Sequence, residues 1–238
     1  MLTFPNLVAQ RQAYDRWLHA QDSFPCLLPG AWSNYRTTWL NLRADNGPFA
    51  VAENVQNVER FDACIQHMLS EVQATVGLGG YAEKRAFYHT DAYTDGSRRR
   101  DTHLGLDIWT RAGTPILATL PAKVYSLQDN AIERDYGPTL ILQHEVGDVA
   151  LPHLYTLYGH LDPEVLTRWK VGAQVAVGER LAYIGDRPAN GNWPPHLHFQ
   201  VILHTLGYEG NFPGVAFADE LDYWLALCPD PAPLAGLR

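Results

Sequence analysis

Pro195-His196-Leu197-His198-Phe199 is the stretch from which the rest of the chain is read. In an extended strand alternate side chains share a face, so His196 and His198 project together while Leu197 and Phe199 point the other way. Val201 and Leu203 continue the second set, which reads as a core-facing row. His-x-His triplets also arise by chance, so the pair alone does not establish a metal site. Two other stretches strengthen it. His103-Leu104-Gly105-Leu106-Asp107 supplies an imidazole and a carboxylate, and Tyr158-Gly159-His160-Leu161 supplies another imidazole near the end of a candidate strand.

The chain has 238 residues, enough to bury a proper core as one large domain, or one with a smaller partner. Hydrophobic residues at 46% and charged residues at 18% are globular proportions. A formal charge of −8 and a pI near 5.6 argue against nucleic acid or an anionic membrane as the main partner. Cys26, Cys64 and Cys228 lie far apart with no Cys-x-x-Cys pair, which suggests buried free thiols and neither a disulfide framework nor a thiolate metal site. Met1 to Ala20 contains Arg11, Asp15 and Arg16 and lacks a signal-peptide apolar run. Cys26 lacks the sequence that precedes a lipidated cysteine, and no run is long enough to span a bilayer. With Met1 as the true start, the expected location is the cytoplasm.

Taken in order, the chain begins helical. Leu7, Tyr14, Trp17 and Leu18 share a face of a helix expected from about Asn6 to Gln21, which Pro25, Pro29 and Gly30 end. Val58, Phe61, Ile65, Met68, Leu69, Val72 and Val76 recur at helical spacing and predict a helix running up to Gly77-Leu78-Gly79-Gly80. Trp32, Tyr35, Trp39 and Phe49, lying between these helices, are expected to pack against the domain that begins near Tyr81. From Tyr81 the texture changes to short strands and turns: 116–118, 124–125, 139–144 and 154–158 are strand candidates, and 171–185 is rich in β residues and glycine. Residues 186–195 read as a loop into the His-x-His strand, and 219–227 as a short helix before a proline-rich tail. Ser97-Arg98-Arg99-Arg100 is the one charge cluster: such a run is usually a solvated loop, though its place just before His103 would also let it meet a carboxylate.

The ordered set of motifs resembles a known family. His103-x-Gly105-x-Asp107, Gly113-Thr114-Pro115-Ile116-x-Ala118, Tyr158-Gly159-His160-Leu161, Gly178-x-x-Leu181-x-x-Ile184-Gly185 and the His-x-His stretch occur in the order found in M23 peptidases, the lysostaphin-type zinc endopeptidases. The resemblance covers roughly residues 101–203. It implies a mainly β catalytic domain whose antiparallel sheets form an open groove, with a helical N-terminal region beside it and an α+β fold overall. The expected division is 1–80 for the helical region packing on the catalytic domain, 81–215 for that domain, and 216–238 for the short helix and tail.

The same resemblance implies one zinc ion per chain, held by His103, Asp107 and His198, with His160 and His196 as catalytic residues beside it. Two imidazoles and a carboxylate leave a fourth tetrahedral position open, as a hydrolytic zinc site requires. The implied substrate is a peptide, of the peptidoglycan type or an intracellular one. The alternative is a non-catalytic, metal-containing binding or regulatory module with the same groove. Against that stands the presence of all five residues. The chain departs from the family at Asn192-Trp193-Pro194, where Ser-Thr-Gly is usual, and at Asp135-Tyr136-Gly137-Pro138, where Gly-Tyr-Gly-Asn is usual. Trp193 is expected to stiffen one groove wall and enlarge its aromatic contact. Tyr88 and Tyr93 precede His103, where a family tyrosine can help polarise the transition state. His19, His67, His89, His144, His153 and His204 match no ligand and read as structural or surface histidines.

Overall fold

A computed structural model describes residues 6–88, 90 and 93–237. His89 lies outside the described residues. The first helix, α1 (Leu7–His19), turns Ala13 and Tyr14 into the core. It leads through a turn of 3-10 helix to β1 (Thr37–Leu40), then to α2 (Ala52–Gln56), α3 (Val58–Glu71) and β2 (Val76–Gly79). The Asn57 side chain caps α3 by accepting the Arg60 N–H at 2.9 Å, and Phe61, Ile65 and Leu69 form its buried stripe.

Here the sequence expectation needs correcting. The helix stops at Glu71, Val72 is exposed, and Val76 opens a strand. The glycines read as a helix stop lie within that strand, where their neighbours leave no room for a side chain. A Cβ on Gly77 would stand 2.5 Å from a methyl of Leu40, and one on Gly79 would stand 2.9 Å from both Arg85 and Trp109. Trp39 is also not packed as expected. It is 60% exposed, because β1 is the outermost strand of its sheet and Trp39 points off it. Phe49, by contrast, is fully buried, while Trp32 packs on the main core and donates its indole N–H to Ala235 O at 2.8 Å.

The β-rich part contains β3 (Thr94–Asp95), β4 (Arg98–His103), β5 (Leu106–Trp109), β6 (Pro115–Leu117) and β7 (Ala122–Asn130). Then come β8 (Gly137–Glu145), β9 (His153–Gly159), the one-turn α4 (Val165–Arg168), β10 (Gln174–Val175) and β11 (Arg180–Tyr183). The last elements are β12 (His196–Ile202), β13 (Val215–Phe217) and α5 (Leu221–Leu227). The main sheet has eight strands in the order β1-β2-β5-β12-β9-β8-β7-β10, antiparallel except for the β1–β2 pair. Two small sheets, β11-β6 and β13-β4-β3, flank it. The fold is α+β, with a mainly β groove and a helical N-terminal region that also lends two strands to the main sheet.

Two apolar clusters hold the molecule together. The larger gathers Leu197, Phe199 and Val201 of β12 with the other strands and with α1. The smaller joins the N-terminal region to the groove: Phe61 lies 4.8 Å from Phe87, 5.7 Å from Trp109 and 6.2 Å from Trp193, centroid to centroid. The charge cluster is not a solvated loop: Arg98 to Arg100 open strand β4, and Arg98 meets Asp219 and Glu220, each at 2.7 Å. Cys26 and Cys228 are buried free thiols and Cys64 is half-buried. None of the described helices is long and apolar enough to cross a membrane.

Candidate metal centre

Cross-strand register assembles the site. In the β12–β5 pair, His198 stands opposite Asp107 and His196 opposite Trp109. Residues directly opposed in an antiparallel pair have Cβ atoms about 4.5–5.5 Å apart, so this register alone brings imidazole to carboxylate and ring to ring. His103 ends β4, two residues before Gly105, whose missing side chain is essential. A Cβ there would lie 2.6 Å from the His198 ring and 2.8 Å from Phe199 O. His160 follows β9 with a left-handed backbone (φ +61°), held by its N–H to Tyr136 O at 2.7 Å and by Gly185 N–H to its carbonyl at 2.9 Å.

His103, Asp107 and His198 come together as a group able to hold a metal, their donor atoms all within 4.8 Å of one another. Hydrogen bonds settle which atoms face inward. His103 Nδ1 is 3.0 Å from Gly80 O, a carbonyl that can only accept, so Nδ1 carries the proton and Nε2 a lone pair. Gln200 Nε2 donates to Pro213 O at 3.1 Å, which turns Gln200 Oε1 towards His198 Nε2 at 2.9 Å. His198 therefore donates from Nε2 and keeps a lone pair on Nδ1. The two lone-pair nitrogens are 2.9 Å apart, and each is 3.2 Å from Asp107 Oδ1. Three electron-rich atoms facing one another in a buried site are stabilised by positive charge between them, such as a metal ion or a shared proton. Their spacing fits zinc, since ligands at about 2.0–2.1 Å in a tetrahedron stand about 3.3 Å apart. The soft-to-hard mix of two imidazoles and one carboxylate also suits that ion.

The electrostatics agree. Burial works against an ionised Asp107, but His103 and Arg85 hold its carboxyl well below the usual carboxylate range. Burial, and then Arg85, lower the His103 imidazole to about 4 against the pull of Asp107. Burial lowers His196 to about 4 and, with His196 as neighbour, lowers His160 well below the ordinary histidine value. All three imidazoles are thus neutral at pH 7.

His160 and His196 line the other side of the cavity. His160 donates from Nδ1 to Asn190 O at 3.0 Å and His196 from Nδ1 to Pro194 O at 2.8 Å, so both turn a bare Nε2 inward. Their ring centroids are 4.3 Å apart, and His196 Nε2 lies 3.9 Å from Asp107 Oδ1. Trp109 stacks on His196 with centroids 4.0 Å apart and 16° between planes. The cavity, about 160 Å³, is walled by Tyr88, Tyr93, Tyr136 and Trp193 among others. Trp193 supplies an aromatic wall of the cavity, with its indole N–H on Asp135 O at 3.1 Å.

Sequence reasoning missed three contributors. Gln200 continues the His-x-His alternation by one more step, a signal that was available. Trp109 needs the register to place it over His196. Arg85, fully buried and 2.5 Å from Asp107, sits in an irregular segment where no spacing marks it. Of the remaining histidines, His19 and His67 are exposed, while His144 is buried and bonded to Pro121 O and Thr156.

The family model of peptidase family M23 matches residues 101–208, which span every motif of the site. No curated protein matches the chain. Among solved structures the chain is similar to the catalytic domain of the prophage-encoded M23 protein EnpA from Enterococcus faecalis, at 24% identity over 49% of this chain and 79% of that one, TM-score 0.35. It is similar also to the catalytic domain of lysostaphin from Staphylococcus simulans, at 20% identity over 52% and 80%, TM-score 0.34. A zinc-containing peptidase from Vibrio cholerae is 29% identical over 50% of this chain and 37% of that one, TM-score 0.34. With TM-scores this low, these three likenesses carry no weight for the site. The match over 101–208 lies on the very stretch that carries His103, Asp107, His160, His196 and His198, and this part of the chain is similar to peptidase family M23.

Proposed function

We propose that the protein is a zinc-dependent metallopeptidase that hydrolyses a peptide or amide bond, with one zinc per chain held by His103 Nε2, Asp107 Oδ1 and His198 Nδ1. The observation that carries the reading is the set of three lone-pair atoms facing one another at 2.9–3.2 Å. A zinc ion bound there would supply an activated water at neutral pH and polarise the scissile carbonyl. The other residues handle protons and orientation. His196 presents a neutral Nε2 able to accept a proton, and the resulting imidazolium is supported by Asp107 at 3.9 Å and by the stacked face of Trp109. Neutral His160, with its proton on Nδ1, offers a second acceptor and becomes a donor to the oxyanion only after protonation. The Tyr136 hydroxyl, buried and without a hydrogen-bond partner among the described residues, is a further donor in the cavity wall.

The substrate is a peptide of the peptidoglycan type or an intracellular peptide. A second reading, a non-catalytic module that holds zinc and recognises a ligand, draws on how closed the site is: all five residues are 1–5% exposed. One experiment separates the two. The purified protein is analysed for zinc and then incubated with peptidoglycan fragments and a general peptide library. Cleavage that a chelator abolishes and zinc restores is expected. Stoichiometric zinc without cleavage of any of them would favour the binding module.

A further inference from the structure

We propose that Arg85 is a positioning residue for the metal centre: clamped by Glu83, it occupies one oxygen of Asp107 and leaves the other as the single oxygen offered to a cation. The inference rests on the zinc reading above and goes beyond the ligands themselves.

The Arg85 side chain is fully buried. Its Nη1 reaches Asp107 Oδ2 at 2.5 Å and the Tyr88 hydroxyl at 3.2 Å, and its Nε reaches Glu83 Oε2 at 2.8 Å. Its Nη2 donates to Gly80 O at 3.3 Å, the same carbonyl that fixes His103 Nδ1. One backbone oxygen thus orients both a ligand ring and the guanidinium. The far oxygen of Glu83 accepts the Leu42 N–H at 3.0 Å, so the clamp ends on the chain just after β1. Gly79 stands opposite Asp107 in the β2–β5 register, and a Cβ on it would come within 2.9 Å of Arg85 Nη2 and 3.1 Å of Asp107 Cβ. The strand is kept bare where the guanidinium must pass.

A buried guanidinium next to a metal ligand is costly unless it is paired and serves geometry. Glu83 supplies the pairing. With Asp107 and Glu83 each −1 and Arg85 +1, the trio keeps one net negative charge towards the cation. Arg85 meets Asp107 through Nη1 alone, while its Nε and Nη2 are held by Glu83 and Gly80 O, so the guanidinium is fixed in place where it engages Oδ2. With Oδ2 engaged by Arg85, Oδ1 is the oxygen of Asp107 turned towards His103 and His198. That suits four-coordinate zinc and disfavours calcium, which takes six to eight oxygens and often both of a carboxylate's.

The test uses the full chain and two readouts: zinc affinity by chelator competition, and the visible absorption of the cobalt(II)-substituted protein, which reports ligand number. Arg85→Met should bind zinc about 10–100-fold more weakly and show weaker, shifted cobalt bands as Asp107 becomes free to ligate through both oxygens. Arg85→Lys should fall between it and the parent. If Arg85→Met does not fold, Glu83→Gln loosens the clamp instead, with an expected loss near the lower end, about tenfold. A purely structural role predicts lower thermal stability but parent-like affinity and cobalt bands in the folded protein, and that result would overturn the proposal. So would unchanged affinity and bands in folded Glu83→Gln. A parent protein that takes up no zinc would overturn the functional reading itself, and this inference with it.

Discussion

Of the three proposed ligands, Asp107 and His198 lean on charged or strongly polar side chains, Arg85 and Gln200, while His103 leans on the Gly80 carbonyl. Across the same small cavity, His160 and His196 lean on the carbonyls of Asn190 and Pro194 and on the rings of Trp109 and Trp193. The difference follows from what each side must do. A ligand must present one atom in one direction, which needs a firm and directional partner. A proton carrier must change charge during a cycle, which a backbone carbonyl tolerates, since it accepts the Nδ1 proton in both states. Side-chain supports therefore set Asp107 and His198 apart from the proposed reacting pair, while His103 shares that pair's backbone-carbonyl support.

The division is broken most directly on the reacting side. His160→Ala and His196→Ala should each keep bound zinc and lose roughly 10²–10³-fold in peptide hydrolysis, about 2.7–4 kcal/mol. Loss of zinc from either variant would erase the distinction. On the holding side, Gln200→Leu frees the His198 ring to turn and should weaken zinc binding about 10–100-fold by chelator titration. Unchanged affinity there would mean that the strand alone orients His198.

His144 sharpens the comparison as a buried imidazole outside the cluster. Burial lowers it to about 4 when folded, whereas it titrates near 6.5 when exposed. The unfolded chain thus binds the extra proton between those values. Stability that is fully present above pH 6.5 is lost as the pH falls towards 4, by at most about 1.4 kcal/mol per pH unit. In metal-free protein, His144→Gln should remove that part of the slope in urea unfolding at pH 7 and pH 5. An unaltered slope would assign the acid sensitivity to other groups.

Much of the site was legible because strands convert spacing into position. His196 and His198 share a face by alternation, and the ordered motifs supplied Asp107, His103 and His160. Gln200 was one alternation further and went unread. What lay beyond reach depended on three-dimensional register or on irregular chain: Trp109 meets His196 only across the β12–β5 pair, and Arg85 enters from a segment with no period. The fold divides in the same way. The stripe of α3 was plain from Phe61, Ile65 and Leu69, but β2 was hidden, because Val76 extends the helical period and Gly77 and Gly79 imitate a helix stop. Their role is close approach, visible only once Leu40, Arg85 and Trp109 are in place.

The central claim is that His103, Asp107 and His198 hold one zinc while His196, two residues away on the same strand, does not. Zinc per chain, measured by elemental analysis on the parent, His196→Ala and His198→Ala after growth with added zinc, tests it in one comparison. One zinc is expected in the parent and in His196→Ala, and nearly none in His198→Ala, where only two ligands remain. An empty His196→Ala beside a filled His198→Ala would contradict it.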